Sequence, residues 1–143
     1  MPCACYDKKA CQRRKEVWQK APMTARPGTS TIPCAGKGLF ADRDYKRGEF
    51  ITYYSGTYSN NPALEGDRVL AITARTSVNG SGKCRMKACR GDLINHNEDA
   101  SRRNCAYRLL DSKLYLVGVV TTRSVRCGQE FFTNYGPYFS FRK

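Results

Sequence analysis

A mostly β fold with short helices is the class this 143-residue sequence predicts, and three observations carry it. Short apolar runs rich in β-branched and aromatic residues recur from Cys34 onward, each bounded by turn residues. After residue 75 no ten-residue window carries a strong helical stripe. Hydrophobic residues make up 41% and aromatics 11%, enough for one packed core at this length.

Residues 1–33 read as a basic, cysteine-containing N-terminal arm. The run "KKACQRRK" precedes "KAPMTARPGTSTIP", whose three prolines and one glycine break any long element. A short helix fits around Gln12 to Lys20. From residue 34 to 138 the elements follow in order. "DYKRGE" reads as a turn and "FITYYSG" as a strand, while "VLAIT" is strand-like. The Asn79-Gly80 pair in "VNGSGK" is a hairpin signal. "KLYLVGVVTT" is an apolar strand, and "VRCGQEFFTNYG" gives a further turn and strand. Residues 139–143 form a short aromatic and basic tail.

The balance of 25 Lys+Arg against 12 Asp+Glu gives a net charge of +13. Such an excess attracts polyanions, nucleic acid first among them, or serves only as a solvated surface. No stretch has the roughly 18 apolar residues a membrane helix needs. The start of the chain has no apolar leader, so an intracellular protein is expected. Eight cysteines, at 3, 5, 11, 34, 84, 89, 105 and 127, then read as reduced thiols or a metal site rather than disulfides.

Four short pieces carry candidate chemistry. Gly36-Lys37-Gly38 is either a tight turn or a place where backbone approaches a ligand closely. Tyr53 and Tyr54 on one strand point to opposite faces, one towards a core and one towards a cavity. The sole histidine, His96, follows Asn95; alone, the pair fits a loop, a metal ligand, a catalytic base or a cofactor clamp. Tyr135 ends a strand before Gly136, where its hydroxyl can donate, accept or orient.

In their order and spacing, "GKG", "YYSG", "INH" and "GQEFFTNY" resemble a SET-domain protein lysine methyltransferase across residues 35–138. The resemblance implies small curved β-sheets around a pseudoknot-like crossing, with the Asn-His segment beneath the loop that ends in Tyr135. It implies S-adenosylmethionine on one face, a peptide on the other and a narrow channel between them. Gly36, Lys37 and Gly38 are then expected at the methionine end of the cofactor, and Asn95 at its polar groups. His96 is expected at the adenine, mainly through its backbone, with its ring bracing the crossing. Tyr54 is expected in the lysine channel, and Tyr135 as the central catalytic tyrosine. Thr133 stands where the family often has Phe or Tyr; its small volume implies room for a di- or trimethylated product. Tyr138 and Phe139, with Phe141, are expected to close over the adenine.

The sequence departs from the family pattern in places. "NEDASRRN" follows the Asn-His pair where Ser-Cys-x-Pro-Asn is usual, leaving Asn104 as the candidate for the final Asn. Tyr53 replaces an acidic residue often found before the channel tyrosine. No cysteine-rich zinc segment follows Tyr135. Cys3, Cys5 and Cys11 form C-x-C-x5-C and, with Cys34, are candidate zinc ligands, free thiols being the simpler reading. Cys84 and Cys89 form a second, loose pair.

The expected substrate is a histone tail or another lysine-bearing protein, in the nucleus. The basic surface is expected to contact DNA or a nucleosome and not a membrane. Glu49, Glu65, Asp67, Glu98 and Asp99 are the few acidic candidates for a groove that takes a basic tail. Two other readings compete: an inactive SET-like basic module that binds chromatin or nucleic acid, and an unrelated zinc-stabilised DNA-binding domain.

Overall fold

A computed structural model describes residues 5–21, 25–60, 68–73 and 75–135. Its elements are helix α1 (Lys8–Gln19) and strands β1 (Ala25–Thr29), β2 (Lys37–Ala41), β3 (Phe50–Tyr53), β4 (Thr57–Ser59), β5 (Val69–Ala71), β6 (Ser77–Asn79), β7 (Asn95–His96), β8 (Cys105–Asp111), β9 (Leu116–Thr121) and β10 (Phe132–Thr133). Two short 3-10 turns, Gly91–Leu93 and Ala100–Arg102, interrupt the second half. The mostly β class with short helices is what the structure has.

The helix starts a turn earlier than the periodicity alone suggests. Asp7 caps it, accepting the Ala10 N–H at 3.1 Å, and so satisfies one of the orphan donors of the first turn. Cys11, Arg14 and Trp18 share one face and are buried. Trp18 stacks on Tyr58 at 6.3 Å, so the helix is packed into the core rather than projecting from it. The following β1 pairs antiparallel with β2, from Ala25↔Ala41 to Thr29↔Lys37, and this ladder crosses position 33.

Three further sheets complete the described core. β3, β9 and β8 form an antiparallel sheet in that spatial order, with Ile51, Val117, Val119 and Tyr107 buried. β4, β6 and β5 form a second, and β7 with β10 a two-stranded parallel pair. The Asn79-Gly80 hairpin signal is corrected here. Those residues end β6 instead of turning it back, because β6 already has β4 on one edge and β5 on the other. The hairpin of this sheet instead joins β5 to β6, closed by Ile72 N–H to Thr76 O at 2.9 Å. Asn79 turns the chain with its own side chain, accepting the Ser81 N–H at 2.9 Å.

The glycine of the Tyr-x-Gly motif has a packing reason. A Cβ on Gly56 would lie 2.1 Å from the backbone oxygen of Asn79, so only glycine lets the chain pass that close to β6.

Candidate active site

The parallel pair of β7 and β10 is the crossing on which the site is built. It sets Asn95 beside Phe132 and His96 beside Thr133. Four long-range bonds hold it. Phe132 N–H donates to Asn104 Oδ1 at 2.9 Å, and Asn104 Nδ2 donates to Glu130 O at 3.0 Å. Asn104 N–H donates to Phe132 O at 2.9 Å, and Asn97 N–H to Thr133 O at 3.2 Å. Asn104 is buried, so its amide works as a two-ended clamp on β10. This fixes the register that the sequence left open after the Asn-His pair.

His96 braces the same crossing. Its Nδ1 accepts the Tyr135 N–H at 3.1 Å, and its Nε2 lies 3.1 Å from Glu98 Oε1. An Nδ1 that accepts leaves Nε2 to carry the proton, which makes Nε2–H the donor to Glu98. With both ring nitrogens engaged in this way, the imidazole orients the chain at Tyr135. The Tyr135 hydroxyl in turn donates to Ile94 O at 2.8 Å, one residue before the Asn-His pair. Tyr135 is thus tied at both ends to one short segment.

A second hub gathers the glycine loop. Glu130, buried, accepts from Ser30 Oγ at 2.7 Å and from Thr31 at both its N–H, 2.8 Å, and its Oγ1, 2.7 Å. Asn95 Nδ2 adds a long bond to it at 3.4 Å and a shorter one to Lys37 O at 3.0 Å. The Glu130 carboxylate also explains Gly38, since a Cβ there would sit 2.3 Å from its Oε2. Gly36 differs: its φ is +74° and nothing lies within 4 Å of a Cβ built on it, so its requirement is conformational. The loop, Asn95 and Glu130 therefore form one connected unit. In the sequence Glu130 stands only as part of the Gly-Gln-Glu motif; its role as the acceptor for four donors is a property of the fold.

Tyrosines line the interior beside Tyr135. Tyr54 is wholly buried and donates to Arg68 O at 2.5 Å; its ring meets Tyr107 edge-on at 5.8 Å. Tyr107 O–H reaches Gly91 O at 3.4 Å. Asp92, also buried, is held by Arg68 at 3.2 Å and by Arg90 through two bonds at 2.9 and 3.0 Å. Tyr107, Asp92 and Arg68 escaped the sequence reading because no local pattern marks them; strands distant in sequence bring them to Tyr54. Tyr53, on the opposite face, is half-buried and packs on Phe50 at 4.8 Å.

Burial pushes the Tyr135 hydroxyl up to about 12, although its backbone bond with His96 acts the other way. Burial also raises Tyr54 and Tyr107 well above the usual tyrosine value. It raises Tyr58 as well, against the opposing pull of Arg14. All four stay protonated at neutral pH, which leaves Tyr135 a hydrogen-bond donor and not a base. Above about pH 10 tyrosines of the unfolded chain ionise while these do not, so the unfolded state binds fewer protons and stability falls. Denaturant unfolding at stepped pH should show stability level up to about pH 10 and then dropping steeply. A flat profile through pH 11 would contradict the burial assigned to these hydroxyls.

Thr133 is buried on β10, two residues before Tyr135. Among the acidic candidates, Glu98 is engaged with His96 and Glu49 with Arg43, while Asp99 caps the 3-10 turn at Ser101. Tyr138, Phe139, Phe141, Cys3, Glu65 and Asp67 lie outside the described residues.

The proposed fourth zinc ligand is corrected. Cys34 is exposed at a turn with φ +64° between β1 and β2. The sulfurs that meet are those of Cys5, Cys11 and Cys84. Cys89 parts from Cys84 and lies with its sulfur 3.6 Å from Trp18 O; burial raises its thiol to about 11.

A glycine loop, an Asn-His strand and a terminal tyrosine joined at a parallel crossing make a distinctive arrangement, and the SET domain family model matches residues 36–136. The chain belongs to the SET-domain family. Solved structures agree on the SET fold. Chaetomium thermophilum polycomb repressive complex 2 aligns with a TM-score of 0.65 at 21% identity, over 85% of this chain and 16% of that chain. The same values hold for ctPRC2 in an autoinhibited conformation bound to S-adenosylmethionine. An active polycomb repressive complex 2 in the stimulated state gives a TM-score of 0.65 at 20% identity, over 83% of this chain and 16% of that one. This SET-domain chain thus spans about a sixth of the chains it resembles. No curated protein sequence matches it. No helix among the described residues is long and apolar enough to cross a membrane.

Proposed function

We propose that this chain is an S-adenosylmethionine-dependent protein lysine N-methyltransferase that acts on a histone tail in the nucleus. The observation that carries the reading is the junction of Tyr135, the Asn95-His96 strand and the Gly36–Gly38 loop at one crossing.

The residues present suit the cofactor. Gly36 leaves open space where any side chain would stand, and Gly38 brings the backbone flush against Glu130. Asn95 commits its amide nitrogen to Lys37 O and Glu130, so its Oδ1 is the atom left to accept from an ammonium group. Gly36, Lys37, Gly38 and Asn95 would hold the methionine end and His96 the adenine, with Tyr138 and Phe139 closing over it. When bound, S-adenosylmethionine supplies a methyl group made electrophilic by its sulfonium.

The chain's own residues would then align and dry the acceptor. Tyr54 lines the lysine channel in this reading. Alignment of reacting groups alone is worth up to ~7–11 kcal/mol of barrier. A lysine ammonium, near pKa 10.4 in water, loses its proton more readily in an apolar channel beside a positive charge. No residue need act as base; the proton leaves to solvent before the amine is aligned. The Tyr135 hydroxyl oxygen, whose proton goes to Ile94 O, and nearby carbonyls orient the amine and the positive charge that develops on it.

Thr133 leaves the channel wide in this scheme. The wild-type chain should therefore proceed to di- or trimethyl product, and Thr133→Tyr should stop mainly at monomethyl, read by mass spectrometry at exhaustion. A wild-type chain that stops at monomethyl would remove Thr133 from product control.

The deciding experiment combines calorimetric titration with S-adenosylmethionine and a transfer assay on histones and nucleosomes. Stoichiometric binding with label on lysine is expected. Absence of binding would defeat the reading. Binding without transfer would favour the second reading, an inactive basic module on chromatin or nucleic acid, which the net charge of +13 supports.

A further inference from the structure

The sulfurs of Cys5, Cys11 and Cys84 lie within 4.8 Å of one another, and all three residues are buried. Cys84 Sγ is 3.7 Å from both Cys5 Sγ and Cys11 Sγ. A disulfide would hold sulfurs at about 2.05 Å. Sulfurs placed about 2.3 Å from a tetrahedral zinc stand about 3.8 Å apart, close to the separation of Cys84 from each of the other two. The three thiols come from the start of the chain, from α1 and from the loop after β6, so the sequence spacing alone does not reveal them.

We propose that Cys5, Cys11 and Cys84 are ligands of a structural zinc ion that fastens α1 to the SET core. Two surrounding features favour thiolates at this place. Tyr58 N–H donates to Cys5 Sγ at 3.3 Å, the kind of outer bond that orients a metal-bound sulfur. The guanidinium of buried Arg14 stacks over the Tyr58 ring at 3.6 Å and makes no ion pair among the described residues. A thiolate–zinc centre carries net negative charge and supplies the counter-charge that a buried cation needs. Burial of all three ligands marks a closed, structural centre rather than a catalytic one with an open position. Cys84 N–H also donates to Thr57 Oγ1 at 3.2 Å, and the chain from Cys84 runs on to Asn95 and His96. The ion would therefore brace the segment that leads into the crossing.

The test uses the full chain, purified under reducing conditions with zinc present, and does not depend on methyl transfer. Elemental analysis should find one zinc per chain, and cobalt titration of the metal-free chain should give the visible bands of a tetrahedral thiolate site, saturating at one equivalent. Cys84→Ser should lose the metal at least tenfold more readily to a competing chelator, whereas Cys34→Ser and Cys127→Ser, at exposed positions, should match wild type. A zinc-free folded wild-type chain, or no thiolate–cobalt bands on it, would overturn the proposal whether or not the variants fold. Unchanged metal retention in Cys84→Ser would overturn it too.

Discussion

Tyr135→Phe is expected to lower the rate of methyl transfer by about 10²–10³-fold, the usual loss when one positioned polar group is removed from a developing charge. Cofactor binding should survive, because the contacts that tie the loop and the Asn-His strand together do not use the hydroxyl. The fold should survive as well. The hydroxyl donates to Ile94 O at 2.8 Å, and losing such a bond costs roughly 0.5–1.5 kcal/mol. Calorimetry with S-adenosylmethionine and single-turnover kinetics separate the two effects. Full activity in this variant would end the assignment of Tyr135 to the reacting centre. A variant that neither binds nor transfers would mean that the hydroxyl acts through structure.

Glu130→Ala should be the most damaging single change to the candidate cofactor loop. It strips the acceptor from Ser30 Oγ, Thr31 N–H, Thr31 Oγ1 and Asn95 Nδ2 at once. Each hydrogen bond to a charged group is worth about 1.5–3 kcal/mol, and donors left buried add to the cost. Water entering the exposed part of the site offsets some of this, so a loss of about 3–5 kcal/mol in unfolding free energy is expected. S-adenosylmethionine affinity should fall more than tenfold, since the loop loses its tether to Asn95. Glu130→Gln keeps the shape and one acceptor oxygen and should fall between the two. Denaturant titration and calorimetry on the three proteins give the order; equal affinities throughout would show that the tether does not shape the site.

Much of this was legible before folding. The β-rich texture, the turns at Gly48 and Gly128, and the four motif pieces are local signals, because a strand's composition and a glycine at positive φ depend on near neighbours. Asn95, His96 and Tyr135 stood out by type and order. Their connections did not: that His96 Nδ1 accepts from Tyr135, and that Asn104 clamps β10, depend on strands tens of residues apart. The Asn79-Gly80 pair misled for a related reason. Its turn propensity is real, but the partners of β6 decided which turn became the hairpin.

The N-terminal segment shows the division most plainly. Its basic run and its prolines suggested an arm, while the amphipathic face of Cys11, Arg14 and Trp18 is buried against Tyr58 and the core. Sequence by itself determined the fold class, the family and the residue types at the candidate site, since these rest on short-range pattern and motif order. Only the tertiary structure decided the hub at Glu130, the clamp at Asn104, the pairing of Asp92 with two arginines and the meeting of Cys84 with Cys5 and Cys11. Each includes at least one pair that no local spacing relates, and each depends on burial: a polar or ionisable group taken out of water must find its partners within the fold, wherever in the chain they lie.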